Sequence, residues 1–78
     1  MNRSLINQTV INTEFANIAA KDSGYSSWKD VSPFVWNSWL QEAEERIPVD
    51  QFTKEELSLS LDDFSNEFIK PFVARLED

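Results

Sequence analysis

Residues 32–48 read SPFVWNSWLQEAEERIP and carry the clearest helical pattern in the chain. Serine followed by proline is a typical helix start, because serine caps free N–H groups and proline at the first helical position has no N–H to leave unpaired. Apolar residues then recur at helical spacing: Val35, Trp36, Trp39, Leu40, Ala43 and Ile47. Pro48 stops the pattern. The segment therefore predicts a helix from Pro33 to about Ile47.

The pattern toward the N-terminus is weaker. Residues 1–12 have apolar residues at helical spacing, but their β-branched residues leave a short strand as an alternative. The helical pattern improves from Thr13, which can cap, so a first helix is predicted over roughly 4–21. Gly24 is the only glycine and predicts a left-handed cap just past that helix. Residues 22–32 are predicted to form a loop with one helical turn near 27–30.

Toward the C-terminus, Thr53 and Glu56 have the spacing of a capping box. Leucines alternate with serines over 57–61, which is a strand pattern. A longer helical stripe overlaps it: Leu57, Leu61, Phe64, Phe68, Phe72 and Leu76. Helix is therefore preferred, either as one segment or as two, over about 54–59 and 61–76, with Ser60 and Asp63 starting the second. Pro71 is predicted to free the carbonyl of Glu67 and kink the helix.

The chain has 78 residues with no repeat and no internal linker, so residues 1–78 are expected to form a single domain. Its fold class is predicted as all-α, a small compact bundle of three to four helices with short loops. Three tryptophans, one tyrosine and six phenylalanines supply core material. There is no cysteine and no histidine, which excludes disulfides and the common zinc sites. No metal and no cofactor are expected.

Catalytic side chains are nearly absent from the sequence. Without histidine or cysteine, the usual general base and thiol nucleophile are missing. A single glycine cannot build a phosphate-binding loop or a dinucleotide fingerprint. Adjacent acidic pairs such as Glu44 and Glu45 do not face each other on a helix. We therefore expect that the protein is not an enzyme and that it has no catalytic residue.

The negative charge is confined to one half of the chain. Residues 1–39 have three acidic and three basic residues, whereas residues 40–78 have eleven acidic and four basic residues, which is the whole net charge of −7. Such a surface disfavours direct binding to nucleic acid or to an anionic membrane and attracts a protein with a basic surface. The candidate acidic contacts are Glu42, Glu45, Asp62, Asp63 and Glu67.

Aromatic residues supply the second kind of candidate contact. Tyr25 and Trp28 lie in the predicted loop and are the rings most expected at the surface, where such residues often anchor partners. The sequence thus predicts a small protein-interaction domain: an adaptor, an inhibitor or a regulatory subunit. Carboxylates spaced along helices would also suit a nucleic-acid mimic. The alternative is a structural homo-oligomer subunit. Without an apolar stretch of about 20 residues or a signal peptide, a cytoplasmic location is expected.

Overall fold

A computed structural model describes residues 6–26 and 28–75, and every regular element within those ranges is helical. The predicted all-α class is therefore confirmed. The strand alternative for residues 1–12 is wrong at positions 6–12, and positions 1–5 lie outside the described residues. The reason is that residues 8–12 belong to a helix whose apolar side chains are needed in the core.

The first helix, α1, spans Gln8–Asp22 and begins later than predicted. Its N-cap is Asn7, whose side-chain oxygen accepts a hydrogen bond from the Val10 N–H at 2.9 Å. Thr13 lies inside the helix, so its predicted capping role is wrong. Starting the helix at Asn7 instead adds Ile11, which is fully buried, to the core-facing side.

The end of α1 is the glycine cap that the sequence predicts. Gly24 has φ +94°, a conformation that residues with a Cβ rarely adopt. The Tyr25 N–H donates to the Ala20 carbonyl at 3.0 Å, and the Gly24 N–H donates to the Lys21 carbonyl at 3.1 Å. These two bonds form a Schellman motif. A short 3₁₀ helix, Trp28–Asp30, follows within the predicted loop.

The second helix, α2, spans Pro33–Arg46, in agreement with the prediction. The Oγ of Ser32 accepts the N–H of the third helical residue at 3.2 Å. The core contacts of α2 lie toward its C-terminal end, where Ala43 is fully buried and Trp39 packs partly against the core. A second 3₁₀ helix, Val49–Gln51, reverses the chain after α2.

After the second 3₁₀ helix, the described chain forms three short α-helices, and a π-helical turn joins the last two. These are α3, Lys54–Leu57; α4, Leu61–Phe64; a π-helical turn, Ser65–Ile69; and α5, Lys70–Ala74. Both predicted caps are present, the Thr53 capping box and the Ser60 side chain that accepts an N–H of α4. The break at residues 58–60 confirms the two-helix alternative. We call α4, the π turn and α5 together the C-terminal run.

The π turn lies immediately before the proline in the C-terminal run. The Lys70 N–H donates to the Ser65 carbonyl, five residues back, and Pro71 has no N–H to donate. Three buried residues of this run, Ser65, Ile69 and Val73, are spaced by four. In a straight α-helix each such step rotates by about 40°. Because the wider π turn takes up that rotation, all three residues stay on the core side.

The core surrounds α1, which contacts both α2 and the C-terminal run. Its largest fully buried side chains are Phe15, Phe64, Ile11, Ile47, Ile69 and Val73. Phe52, Phe64 and Phe68 form an aromatic cluster with ring centroids 4.9 to 5.1 Å apart. The predicted leucine–phenylalanine stripe is thus buried at Phe64 and packs partly at Phe68, but Leu61 remains 38% exposed.

Gln8 links the beginning of α1 to the chain reversal after α2. Its Oε1 accepts the Val49 N–H at 2.8 Å, and its Nε2 donates to the Ile47 carbonyl at 3.1 Å. The same Nε2 donates to Asn12 Oδ1 at 3.0 Å. One amide side chain therefore pairs two backbone groups that lie about 40 positions away in sequence.

Candidate functional site

Phe34, in the first turn of α2, is the most exposed large apolar side chain among the described residues. It exposes 85% of its surface, against 38% for Leu59 and 37% for Tyr25. The core of the described residues is assembled without it. Phe34 was not among the predicted contact residues. The signal was present, because Phe34 lies outside the stripe of apolar residues that predicts the buried side of α2.

A groove of about 490 Å³ runs between α1 and α2. It is open to solvent on one side, and six of its seven lining residues are polar. The lining residues are Thr9, Asn12 and Thr13 from α1 and Asn37, Leu40, Gln41 and Glu44 from α2. We call this the α1–α2 groove. Its volume lies within the range of about 300–1,000 Å³ that is typical of ligand-binding clefts.

Phe34 stands in line with the α2 wall of this groove. Phe34, Asn37, Gln41 and Glu44 are spaced by three, four and three residues, which places them within one sector of about 80° on the helix. The stripe runs from an aromatic ring, through two amides, to a carboxylate. At 1.5 Å per residue its ends are about 15 Å apart along the helix axis.

The carboxylate at the end of the stripe is held by the opposite wall of the groove. The Asn12 Nδ2 donates to Glu44 Oε1 at 3.3 Å, and Asn12 Oδ1 accepts from Gln8. This chain of hydrogen bonds orients Glu44 through neutral amide groups. None of these residues was predicted as a site residue, because a groove between helices depends on packing that spacing within one helix does not show.

The predicted acidic contacts lie on two separate helical elements. Glu42 and Glu45 are three positions apart on α2, where Glu42 forms an ion pair with Arg46 and Glu45 is exposed. The other predicted contacts are exposed residues of the C-terminal run: Asp62, Asp63 and Glu67. Both elements contact α1. The structure therefore gathers the candidates into two groups, one on each element.

Tyr25 lies at the surface, as predicted, but far along the chain from the acidic groups. It lines a second recess of about 340 Å³ at the end of α1, together with Glu14, Asn17, Ile18, Ala20, Lys21 and Ser26. Its backbone belongs to the Schellman motif, which gives the residue a structural role as well. Trp28 begins a 3₁₀ helix, and its side chain lies outside the described part of the chain.

The described residues contain no helix that is long and apolar enough to cross a membrane. They also contain no group of three or more acidic side chains arranged to hold a metal ion. Comparisons of the chain with protein-family models, curated proteins and solved structures found no match.

Proposed function

We propose that this chain is a non-catalytic protein-interaction domain that recognises a partner with a basic surface, as an adaptor, an inhibitor or a regulatory subunit. Support comes first from charge. None of the nine acidic residues described within positions 40–75 is buried, so their charge faces solvent. A surface of one sign accelerates encounter with a partner of the opposite sign and makes binding sensitive to salt.

The observation that carries the proposal is the exposure of Phe34. The ring adds little to folding while 85% of it is in contact with water. A phenylalanine that a partner buries contributes about 1.5–3 kcal/mol, and aromatic residues recur among the few side chains that dominate interface energies. An exposed ring on the same helical stripe as amide and carboxylate side chains has the composition of an interface anchor with a polar rim.

Affinity capture from a lysate of the source cells, at low and at high salt, tests the proposal. A captured protein is identified by mass spectrometry and purified, and its Kd is then measured against single variants. Phe34→Ala is expected to weaken binding about ten- to a hundredfold, whereas Leu59→Ala, which truncates another exposed apolar residue, changes it by less than about twofold. Equal affinity for both variants would contradict the anchor.

Charge is tested with a second matched pair. Glu45→Lys and Asp22→Lys each raise the net charge by the same amount at an exposed position, one on α2 and one at the end of α1. Binding is expected to weaken more, and to lose more of its salt dependence, in Glu45→Lys. Identical losses in the two variants would overturn a role for the acidic half. Competition by duplex DNA for the purified partner would identify the inhibitor as a nucleic-acid mimic.

The alternative of a structural homo-oligomer draws support from a different observation. Leu59 and Leu61 are each 38% exposed and flank Ser60 at the start of α4. Two leucines at one surface corner suit contact with a second copy. Sedimentation velocity over micromolar concentrations separates the proposals, because a monomer at all concentrations excludes the homo-oligomer. Self-association that Leu61→Ala abolishes would favour it.

A further inference from the structure

The middle of the α1–α2 groove is lined by side-chain amides. Asn37 and Gln41 of α2 present exposed side-chain amides there. An amide has both donor and acceptor groups, so it can pair with the N–H and the C=O of a peptide backbone. A helical ligand keeps those backbone groups paired internally, whereas an extended one leaves them free. The amide lining therefore fits an extended peptide.

The end of the groove toward the C-terminus of α2 is acidic. Glu44 lies in the last turn of α2, where the helix dipole adds partial negative charge. The Asn12 amide holds the carboxylate at 3.3 Å and leaves its charge intact. The basic residue of that turn, Arg46, is engaged by Glu42. This end of the groove therefore fits a lysine or an arginine.

Phe34 lies on the same stripe of α2, beyond the residues that line the groove, and its distance from Glu44 sets a spacing. Phe34 and Glu44 are ten positions apart in α2, which corresponds to about 15 Å. An extended chain rises about 3.3 Å per residue, so four to five residues cover that distance. A ligand that contacts both Phe34 and Glu44 must carry its apolar and basic side chains at this separation.

We propose that the α1–α2 groove binds an extended peptide segment of the basic partner, in which an apolar side chain and a lysine or arginine are four or five residues apart. The apolar side chain packs on Phe34, the peptide backbone pairs with Asn37 and Gln41, and the basic side chain pairs with Glu44. This inference rests on the proposed function and specifies the partner's recognition segment.

The test is an NMR titration of ¹⁵N-labelled protein with synthetic capped peptides. Each peptide carries one phenylalanine and one arginine, separated by two, four, five or eight positions in a serine spacer, so that composition and charge are constant. Affinity is expected to be highest at four or five, and about fivefold or more weaker at two and eight, where one contact is lost. A proline within the spacer, which prevents helix formation, is expected to preserve binding.

The variants Glu44→Gln and Glu55→Gln form a matched pair, because they remove the same charge from two exposed residues, one that lines the groove and one on α3. Glu44→Gln is expected to weaken the best peptide about three- to fivefold, and Glu55→Gln by less than twofold. Equal losses, equal affinity at every separation, or abolition of binding by the spacer proline would each overturn the inference. Chemical-shift changes centred away from Asn12, Asn37 and Gln41 would do the same.

The same experiments distinguish an error in the peptide-binding proposal from an error in the proposed function. If no peptide binds while a purified partner still requires Phe34 or Glu45, the groove proposal is overturned and the interaction domain stands. Self-association of the protein that Glu44→Gln abolishes would identify a second copy as the occupant and would likewise overturn the peptide proposal. Peptide binding that is tightest at the predicted spacing and that is weakened by Glu44→Gln supports both the interaction domain and the peptide-binding groove.

Discussion

Replacing Gln8 with alanine removes the side chain that joins the start of α1 to the turn after α2. Three hydrogen bonds are lost: from the Val49 N–H at 2.8 Å, to the Ile47 carbonyl at 3.1 Å and to Asn12 at 3.0 Å. Ile47 is fully buried and Val49 is half-buried, so water replaces these partners poorly. We expect a large loss of stability for a residue that carries no charge.

The size of the loss follows from the two backbone groups. Each ordinary hydrogen bond contributes about 0.5–1.5 kcal/mol net, and a buried group left without a partner costs about 1–3 kcal/mol. We therefore expect the free energy of unfolding to fall by about 2–3 kcal/mol in Gln8→Ala. The whole free energy of unfolding of a domain of this size is roughly 4–12 kcal/mol. The corresponding decrease in Tm is about 8–24 °C.

Urea titration and thermal melting measure this loss, and hydrogen exchange of the Val49 amide locates it. The matched control is Gln41→Ala, the same truncation at an exposed position for which no hydrogen bond is seen within the described residues. We expect the control to stay within about 0.5 kcal/mol of the wild type. The reasoning is refuted if Gln8→Ala has the same Tm as the control, or if the Val49 amide is as well protected from hydrogen exchange in Gln8→Ala as in the wild type.

Three other substitutions are expected to lower, to raise and to leave unchanged the free energy of unfolding, each measured by urea titration. Gly24→Ala should cost about 1–2 kcal/mol through backbone strain alone, since φ is +94° and no atom of the described part of the chain lies within 4 Å of the added methyl group; an unchanged midpoint would contradict this. Ser65→Ala should stabilise the protein by about 1 kcal/mol, because the buried hydroxyl makes no hydrogen bond within the described residues, and a loss of stability would show an unseen partner. Phe34→Ala should stay within about 0.5 kcal/mol of the wild type, and a larger loss would show that the ring supports the fold.

The features that could be predicted from sequence are those determined by adjacent residues. Ser32 followed by proline, the Thr53 capping box and the glycine at position 24 each act within one helical turn, and each is found where it was predicted. Amphipathic spacing identified α2 for the same reason. Together these local signals were sufficient for the all-α class.

The features that sequence did not predict depend on contacts between distant segments. Asn7 and Thr13 are both competent caps, and burial of Ile11 decides between them. The α1–α2 groove exists only once the two helices pack, so its amides had no signature along the chain. Phe34 could have been found as the aromatic residue off the apolar stripe. The five predicted acidic contacts and the Trp28 side chain stay predictions.

The π turn also has an evolutionary consequence. A turn with five-residue hydrogen bonds accommodates one residue more than an α-helical turn, so the C-terminal run is equivalent to a straight helix with a single insertion. Removing exposed Asn66 would leave Ser65, Ile69 and Val73 spaced by three and four residues, which keeps them within a sector of about 60° on a straight helix. The inserted residue and Pro71 are therefore parts of the same local structure, the π turn and the proline that follows it. A homologue without that proline is expected to lack one residue between Ser65 and Ile69, and the two changes should be inherited as a pair.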